Sequence, residues 1–143
     1  MAEMVDIRKK ENTNRQARSE GFLFLSNRTI EAIRKGKTKK GDPLKTSEVA
    51  AIQAVKNTPN LIPFCHPIPL TQIAVDFGVL EDRVKCECQV GAHYKTGVEM
   101  EALVGVAVAL LTLWDMVKYL EKDESGQYPH IRIEGVRVVS KVK

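Results

Sequence analysis

The longest apolar run of the chain extends from Ala102 to Trp114 and has the sequence ALVGVAVALLTLW. It is shorter than the roughly 20 residues that a helix needs to cross a bilayer, and charged residues lie on both sides of it. We therefore expect no membrane span. The wider segment 98–120 predicts one long helix that is apolar nearly all round, and such a helix must be buried on several sides, in part by another subunit.

Four shorter segments have the patterns of β-strands. Apolar and polar residues alternate in 73–79 and in 84–90, and the sequence LEDR between these two runs predicts a hairpin. The segment 21–25, GFLFL, predicts a strand near the start of the chain, and 130–140 predicts the last strand.

Two helices are predicted between the first strand and the second. Ser26 is a suitable cap for a helix that ends at Lys35, and Thr46 is a suitable cap for a second helix that Pro59 closes. Counted as one crossover, these helices complete the order β-α-β-β-α-β. We therefore predict an α+β fold, a ferredoxin-like sandwich with an additional helix in its first crossover.

The chain has the size of one ordinary domain. Its 143 residues, 43% of them hydrophobic, are enough to bury a real core. Residues 1–20 are charged and lack a period, which predicts a mobile N-terminal arm that becomes ordered only with a partner or a substrate. Residues 21–143 are then expected to form a single ferredoxin-like domain.

The charge balance favours an anionic partner, since 22 Lys and Arg stand against 18 Asp and Glu, a formal net charge of +4. The first residues, MAEMVDIRKK, contain no apolar signal core, so we expect a cytoplasmic protein. The three cysteines are an odd number and are expected to be reduced thiols.

The segment LIPFCHPIPL places Cys65 beside His66 among three prolines. Neighbouring side chains in extended backbone point to opposite faces, so this pair is not expected to act as a nucleophile with its base. A zinc site would need the pair to converge with Cys86, Cys88 or His93, and no Cys-x-x-Cys spacing supports it. Cys86 and Cys88 share one face of a predicted strand with valines, which favours core positions, and we predict no metal site.

Two glutamates stand at the start of the predicted long helix. The helix dipole favours carboxylates in a first turn, so Glu99 and Glu101 are either simple capping residues or part of a site. They are about 200° apart around the helix axis, so one of them must face the crowded inner side, where a carboxylate needs a partner.

Asp115 and Lys118 are spaced i, i+3 near the end of the same helix. Such a pair is often an ordinary solvated ion pair. Large apolar neighbours, among them Leu113, Trp114 and Met116, favour burial instead. A buried lysine loses its charge more readily and serves as a general acid or base while the aspartate holds it in place.

A basic loop, KGKTKKGDP at 35–43, separates the two shorter helices. A solvated turn and a phosphate-binding loop both fit lysines that surround glycine. Binding of RNA is a further alternative, because a ferredoxin-like sheet can present stacking aromatic side chains. The third strand, DRVKCECQV, contains no aromatic residue, which counts against RNA.

Five motifs occur in order along the chain: MVDI near the start, KKGD at 39–42, IPFCHPIPL at 62–70, KTGVEMEAL at 95–103 and DMVK at 115–118. Together they resemble the cyclic pyranopterin monophosphate synthase family of molybdenum cofactor biosynthesis. The resemblance implies a lyase that converts (8S)-3′,8-cyclo-7,8-dihydroguanosine 5′-triphosphate to cyclic pyranopterin monophosphate and releases pyrophosphate. It also implies a homohexamer, a trimer of dimers, with no nucleic acid or membrane as partner.

The resemblance also implies roles for single residues. Asp115 and Lys118 are the implied catalytic pair, Lys40 is a second essential lysine, and Lys141 matches the lysine of a mobile C-terminal segment. The residues expected to bind the substrate are Phe64, Cys65, His66, Glu99, Met100 and Glu101. The reaction is expected to require no cofactor, and the need for Mg²⁺ on the triphosphate stays open.

The residue types suit this chemistry. Glu101 or Glu99 can accept the amide and amino donors of a guanine-derived ring, while the lysines and His66 neutralise the triphosphate. Proton transfers are needed to open and reclose the ring, and Lys118, tuned by Asp115, is the best candidate for them.

The long helix also predicts how the site is assembled. Glu101 and Asp115 are 14 residues apart, about 21 Å along the helix axis, which is too far for one compact reacting centre. Antiparallel packing of two such helices across a dimer would bring the start of one to the end of the other. The alternative is a substrate that stretches between both ends within one subunit. The remaining alternative comes from another functional class. It is a non-catalytic module that binds nucleotides or RNA through its basic face.

Overall fold

The computed structural model describes the whole chain, residues 1–143, as a four-stranded sheet with helices packed on one face. The elements in chain order are β1 (Thr13–Phe24), α1 (Asn27–Arg34), α2 (Pro43–Lys56), α3 (Thr58–Leu61), β2 (Leu70–Val79), β3 (Arg83–Tyr94), α4 (Glu99–Glu121) and β4 (Arg132–Val142). The strands lie in the order β2-β3-β1-β4, and every neighbouring pair is antiparallel. The predicted α+β fold is confirmed.

Strand β1 begins eight residues earlier than the sequence pattern predicted, at Thr13 instead of residue 21. Its first half faces the helices with small or polar side chains, so no hydrophobic alternation marks it. Ser19, for example, is fully buried and donates its hydroxyl to the carbonyl oxygen of Ala102 over 2.6 Å. Residues 13–20 therefore belong to the sheet and not to an arm, whereas the mobility of residues 1–12 stays a prediction.

The predicted N-caps of α1 and α2 are confirmed only in part. Asp42, and not Thr46, caps α2, because its carboxylate accepts the N–H groups of Leu44 and Lys45 over 3.0 and 3.1 Å. Ser26 occupies the cap position of α1 as predicted, but its side chain makes no capping bond to the helix backbone.

The carboxylate of Glu121, at the end of α4, stabilises the start of α1. It accepts the main-chain N–H of Ser26 over 3.1 Å, the hydroxyl of Ser26 over 2.7 Å and the hydroxyl of Thr29. These bonds anchor the first crossover to the C-terminal end of α4.

Helix α4 is the centre of the core. Its fully buried side chains, with those of the sheet and of α2, form one hydrophobic cluster that includes Val106, Leu110, Leu113 and Val117. By length and composition α4 could cross a membrane, yet 56% of its most apolar window is buried within the fold, as in the core helix of a soluble protein. The absence of a membrane span stays a prediction.

The core is closely packed around Gly105. A Cβ atom at this position would lie 2.7 Å from Cys88 Sγ and 2.7 Å from Val55 Cγ2, so the glycine lets α4 approach both β3 and α2. Cys86 and Cys88 are fully buried, as predicted, and burial raises the pKa of each thiol to about 12.

Candidate active site

A cavity of about 290 Å³ opens beside the N-terminal end of α4. Its lining contains all six residues that were predicted to bind the substrate: Phe64, Cys65, His66, Glu99, Met100 and Glu101. The structure thus brings together two segments that lie about 35 residues apart in the chain, the proline-rich segment and the first turn of α4. Their roles in binding stay predictions.

The proline-rich segment forms one wall of this cavity. It follows the short helix α3, where the N–H of Cys65 donates to the carbonyl of Ile62 over 3.1 Å, and then runs extended to β2. Pro67 and Pro69 restrict the backbone after His66 to extended conformations. The segment therefore keeps its shape with few backbone hydrogen bonds.

The two glutamates face different surroundings, as the helix geometry predicted. Glu101 is only 2% exposed, and burial raises the pKa of its carboxyl, with a further contribution from the charge of Glu99. No cation pairs with it. Glu99 is less buried and forms an ion pair with Lys141 over 3.2 Å, while its other oxygen, Oε2, is buried and lacks a hydrogen-bond partner.

The N-terminal segment covers part of the cavity, a position that the sequence patterns did not predict. Val5, Ile7 and Lys10 contribute to the lining. A ring nitrogen of His66, Nε2, lies 2.6 Å from the carbonyl oxygen of Val5 and is placed to donate to it. The MVDI motif pointed to this segment as part of the site, because it is one of the five motifs on which the family resemblance rests.

A second group of charged side chains lies near the other end of α4. Asp115 binds two lysines: Lys118 Nζ lies 2.9 Å from one carboxylate oxygen, and Lys40 Nζ lies 3.3 Å from the other. Lys40 also donates to the main-chain carbonyl of Asp115 over 3.2 Å. Three of the four predicted catalytic residues are therefore in direct contact, and we call them the lysine–aspartate triad.

The prediction that Asp115 and Lys118 are buried is wrong for the single subunit. Their side chains are 57% and 40% exposed. Asp115 raises the pKa of Lys118 through a hydrogen bond and its charge, and the two lysines, Lys118 first, lower the pKa of Asp115. The apolar neighbours turn inward to the core, whereas the pair shares an outward face with Leu111, which is itself 58% exposed.

Lys141 lies apart from the triad. It was grouped with the catalytic residues, but in the structure it is on β4 and pairs with Glu99 at the cavity. The predicted site therefore divides into two halves, a cavity with acidic residues at the start of α4 and the triad near its end. Their separation along the helix is about 21 Å, as the spacing of Glu101 and Asp115 requires.

Comparison with known proteins gives the same assignment as the five motifs. A model described as the MoaC family matches residues 4–143, nearly the whole chain. The chain belongs to the MoaC family. The resemblance stated from the motifs is thus confirmed.

Three relatives show how far the similarity extends. Each is described as a probable cyclic pyranopterin monophosphate synthase. The relative from Thermococcus onnurineus is 56% identical over 140 residues, which cover 98% of this chain and 90% of the relative. The relative from Pyrococcus abyssi is 57% identical over 140 residues, covering 98% and 88%. The relative from Methanopyrus kandleri is 54% identical over 142 residues, covering 97% and 91%.

The structure contains no group of three or more His, Cys, Asp or Glu side chains that could hold a metal ion. Cys86 and Cys88 point into the core, away from the half-buried Cys65 that lines the cavity. That the reaction needs no cofactor stays a prediction. Whether Mg²⁺ is needed on the triphosphate stays an open question.

Proposed function

We propose that this chain converts (8S)-3′,8-cyclo-7,8-dihydroguanosine 5′-triphosphate to cyclic pyranopterin monophosphate and releases pyrophosphate, the lyase activity after which its relatives are named. The observation that carries the proposal is the presence of two groups beside α4, an acidic cavity at its start and the lysine–aspartate triad near its end. The cavity suits a ring with several donors, and the triad suits a triphosphate.

The ring of the substrate is expected to bind in the cavity. A guanine-derived ring has an amide N–H next to an amino group, and one carboxylate can accept both. Glu101 is the better candidate, because it is buried and no cation of the protein competes for its oxygens. The Oε2 atom of Glu99, which has no hydrogen-bond partner, is a second acceptor in the lining of the same cavity.

Lys40 and Lys118 are expected to act on the triphosphate and on the proton transfers. The ordinary pKa of a lysine, 10.5, already keeps Lys118 protonated at neutral pH, and Asp115 raises that pKa further, so this lysine serves as an acid. Two ammonium groups beside the departing pyrophosphate also neutralise its developing charge. Asp115 holds both lysines in place and does not itself contact the substrate.

We further propose that each active site combines the cavity of one subunit with the triad of another. The outward face of α4 carries Leu111, a large apolar side chain that is 58% exposed in the single subunit and is available to pack against another subunit. Antiparallel packing of two α4 helices would cover Leu111 and bring Glu101 near the partner's triad. The family resemblance implies a homohexamer, a trimer of dimers, and the expected location of this assembly is the cytoplasm.

The surroundings of the exposed sheet face argue against the RNA-binding alternative. Phe22 and Phe24 are the aromatic side chains there that could stack on bases. Arg83 lies 5.4 Å from the ring centre of Phe22 and 5.3 Å from that of Phe24, and Arg132 lies 4.1 Å from that of Phe24. These rings are already covered by guanidinium groups, so bases would have to displace them.

The test is incubation of the purified protein with the cyclic triphosphate, followed by measurement of pyrophosphate and of the pterin product. Equal amounts of both products are expected from the wild type, and none from Lys118→Ala or Asp115→Ala, although both variants should keep the folded assembly. Binding of the substrate without either product would contradict the proposal and favour a non-catalytic nucleotide-binding module.

A further inference from the structure

The basic loop between α1 and α2, residues 35–42, is attached to α4 at two adjacent points. The hydroxyl oxygen of Tyr119 accepts the main-chain N–H of Lys39 over 2.8 Å. The next residue, Lys40, reaches back to the carboxylate and the carbonyl of Asp115. Asp115 and Tyr119 are spaced i, i+4, so both side chains lie on the same side of the helix.

Little else holds this loop in place. Gly36 and Gly41 both have a positive φ, and they mark the two bends of the loop. Between them, residues 38–41 make hydrogen bonds to the rest of the fold only through Tyr119 and Asp115. The remaining bond, from the hydroxyl of Thr38 to the carbonyl of Gly41, lies within the loop.

We propose that Tyr119 is a positioning residue, which fixes the backbone of Lys39 and thereby holds Lys40 against Asp115 for the reaction. The proposal rests on the proposed function, because it takes the triad as the catalytic group. A long lysine side chain loses much rotamer freedom when it is fixed, so an exposed contact such as that of Lys40 depends on prior placement of its backbone.

Tyr119 contacts Lys39 through two separate parts of its side chain. The hydroxyl binds the main chain of residue 39, and the face of the ring receives the ammonium group of Lys39 at 4.9 Å from its centre. Any residue at position 39 other than proline supplies the N–H donor, so the hydroxyl bond should survive Lys39→Ala. Tyr119→Phe removes only the hydroxyl and keeps the ring. The two variants therefore separate the two parts.

Kinetics of the proposed reaction give the first measurement. Tyr119→Phe is expected to lower kcat about tenfold and to change KM less than about twofold, because a misplaced Lys40 weakens the transition state more than the bound substrate. Lys39→Ala should keep most of the wild-type kcat. If Tyr119→Phe lowers only the melting temperature and leaves kcat unchanged, the tyrosine is merely structural and the proposal is wrong.

Titration of the Asp115 carboxyl by ¹³C NMR gives a second measurement that needs no substrate. Lys118 and Lys40 lower the pKa of Asp115, so Lys40→Ala should raise it. Tyr119→Phe should shift it in the same direction, by part of that amount. Tyr94→Phe is the matched control. Tyr94 lies at the end of β3 and its hydroxyl makes no hydrogen bond, so the substitution should leave the titration of Asp115 unchanged.

The two measurements separate failure of this proposal from failure of the proposed function. A wild type that releases no pyrophosphate, together with the expected shift in Tyr119→Phe, would overturn the function and leave the placement of Lys40 by Tyr119 supported. An active wild type whose Asp115 titration is the same in Tyr119→Phe would overturn the positioning role.

Discussion

The protonation state of Lys118 decides which role it plays. Its hydrogen bond with Asp115 raises its pKa above the ordinary value of 10.5, so it holds its proton across the neutral range. Burial of Lys118, which the sequence pattern predicts, would instead lower its pKa and suit a role as base. The structure instead favours an acid that also carries a positive charge towards the triphosphate.

The pH dependence of the wild-type enzyme tests this assignment. With Lys118 as the acid, kcat/KM should be lost as the pH rises through the pKa of that lysine, above about 10.5, and this group should cause no loss between pH 7 and 9. Circular dichroism over the same range checks that the fold persists. A rate that instead rises between pH 7 and 9 with a single ionisation would contradict the role of Lys118 as an acid.

Cys65 and His66 should respond differently to substitution. Burial and the charges of Glu101 and Glu99 raise the pKa of Cys65, which makes its thiol a poor nucleophile. Cys65→Ser should therefore retain substantial activity, whereas His66→Ala should lose most of it, about tenfold or more, because a donor at the cavity wall is removed. Steady-state kinetics compares the two. Inactivation by thiol alkylation, together with an inactive Cys65→Ser, would restore a nucleophilic cysteine.

At the scale of single elements, the inner face of α4 has no room for an added methyl group at Gly105. Gly105→Ala should lower the free energy of unfolding by about 1 to 3 kcal/mol through overpacking against Cys88 and Val55, even though alanine favours helices by about 1 kcal/mol. Gly78→Ala on β2 is the control, because no atom lies within 4 Å of the added methyl group.

Urea denaturation of both variants is the measurement. The control should change the free energy of unfolding by less than about 0.5 kcal/mol. An unchanged or higher value for Gly105→Ala would show that α4 is not held as closely to β3 and α2 as the structure indicates.

Sequence patterns predicted α4 to within one residue at each end, because a long segment that is apolar all round has few other solutions. They also predicted that one of Glu99 and Glu101 would be buried. They failed at the start of β1, where buried positions such as Ser19 depend on a hydrogen bond to a helix that lies 83 residues away in the chain. The anchoring of α1 by Glu121 was missed for the same reason, since its partners are distant in sequence.

The sequence named the predicted site residues but not their arrangement. The five motifs contain nine of the ten, all but Lys141, and they could not show that Lys141 joins Glu99 while Lys40 joins Asp115. Both pairings are set by the packing of the loop and of β4 around α4. The exposure of Lys118 was also missed, because flanking apolar residues do not reveal which face of a helix the rest of the subunit leaves uncovered.

At the scale of the whole molecule, we propose that the cavity of one subunit works with the triad of another. Within a subunit the two halves lie about 21 Å apart along α4. One compact reacting centre cannot touch both halves of a single straight helix. The exposed Leu111 between them marks the face through which a second α4 would pack.

Complementation between two inactive variants tests whether the site is shared between subunits. Glu101→Ala disables the cavity and Lys118→Ala disables the triad, and each variant alone should be inactive. After the two proteins are unfolded, mixed in equal amounts and refolded together, half of the dimers are mixed, and one of the two sites in each mixed dimer has both residues intact. Activity should therefore return to about a quarter of the wild-type value. If native mass spectrometry shows mixed assemblies and no activity returns, the site lies within one subunit and the claim is wrong.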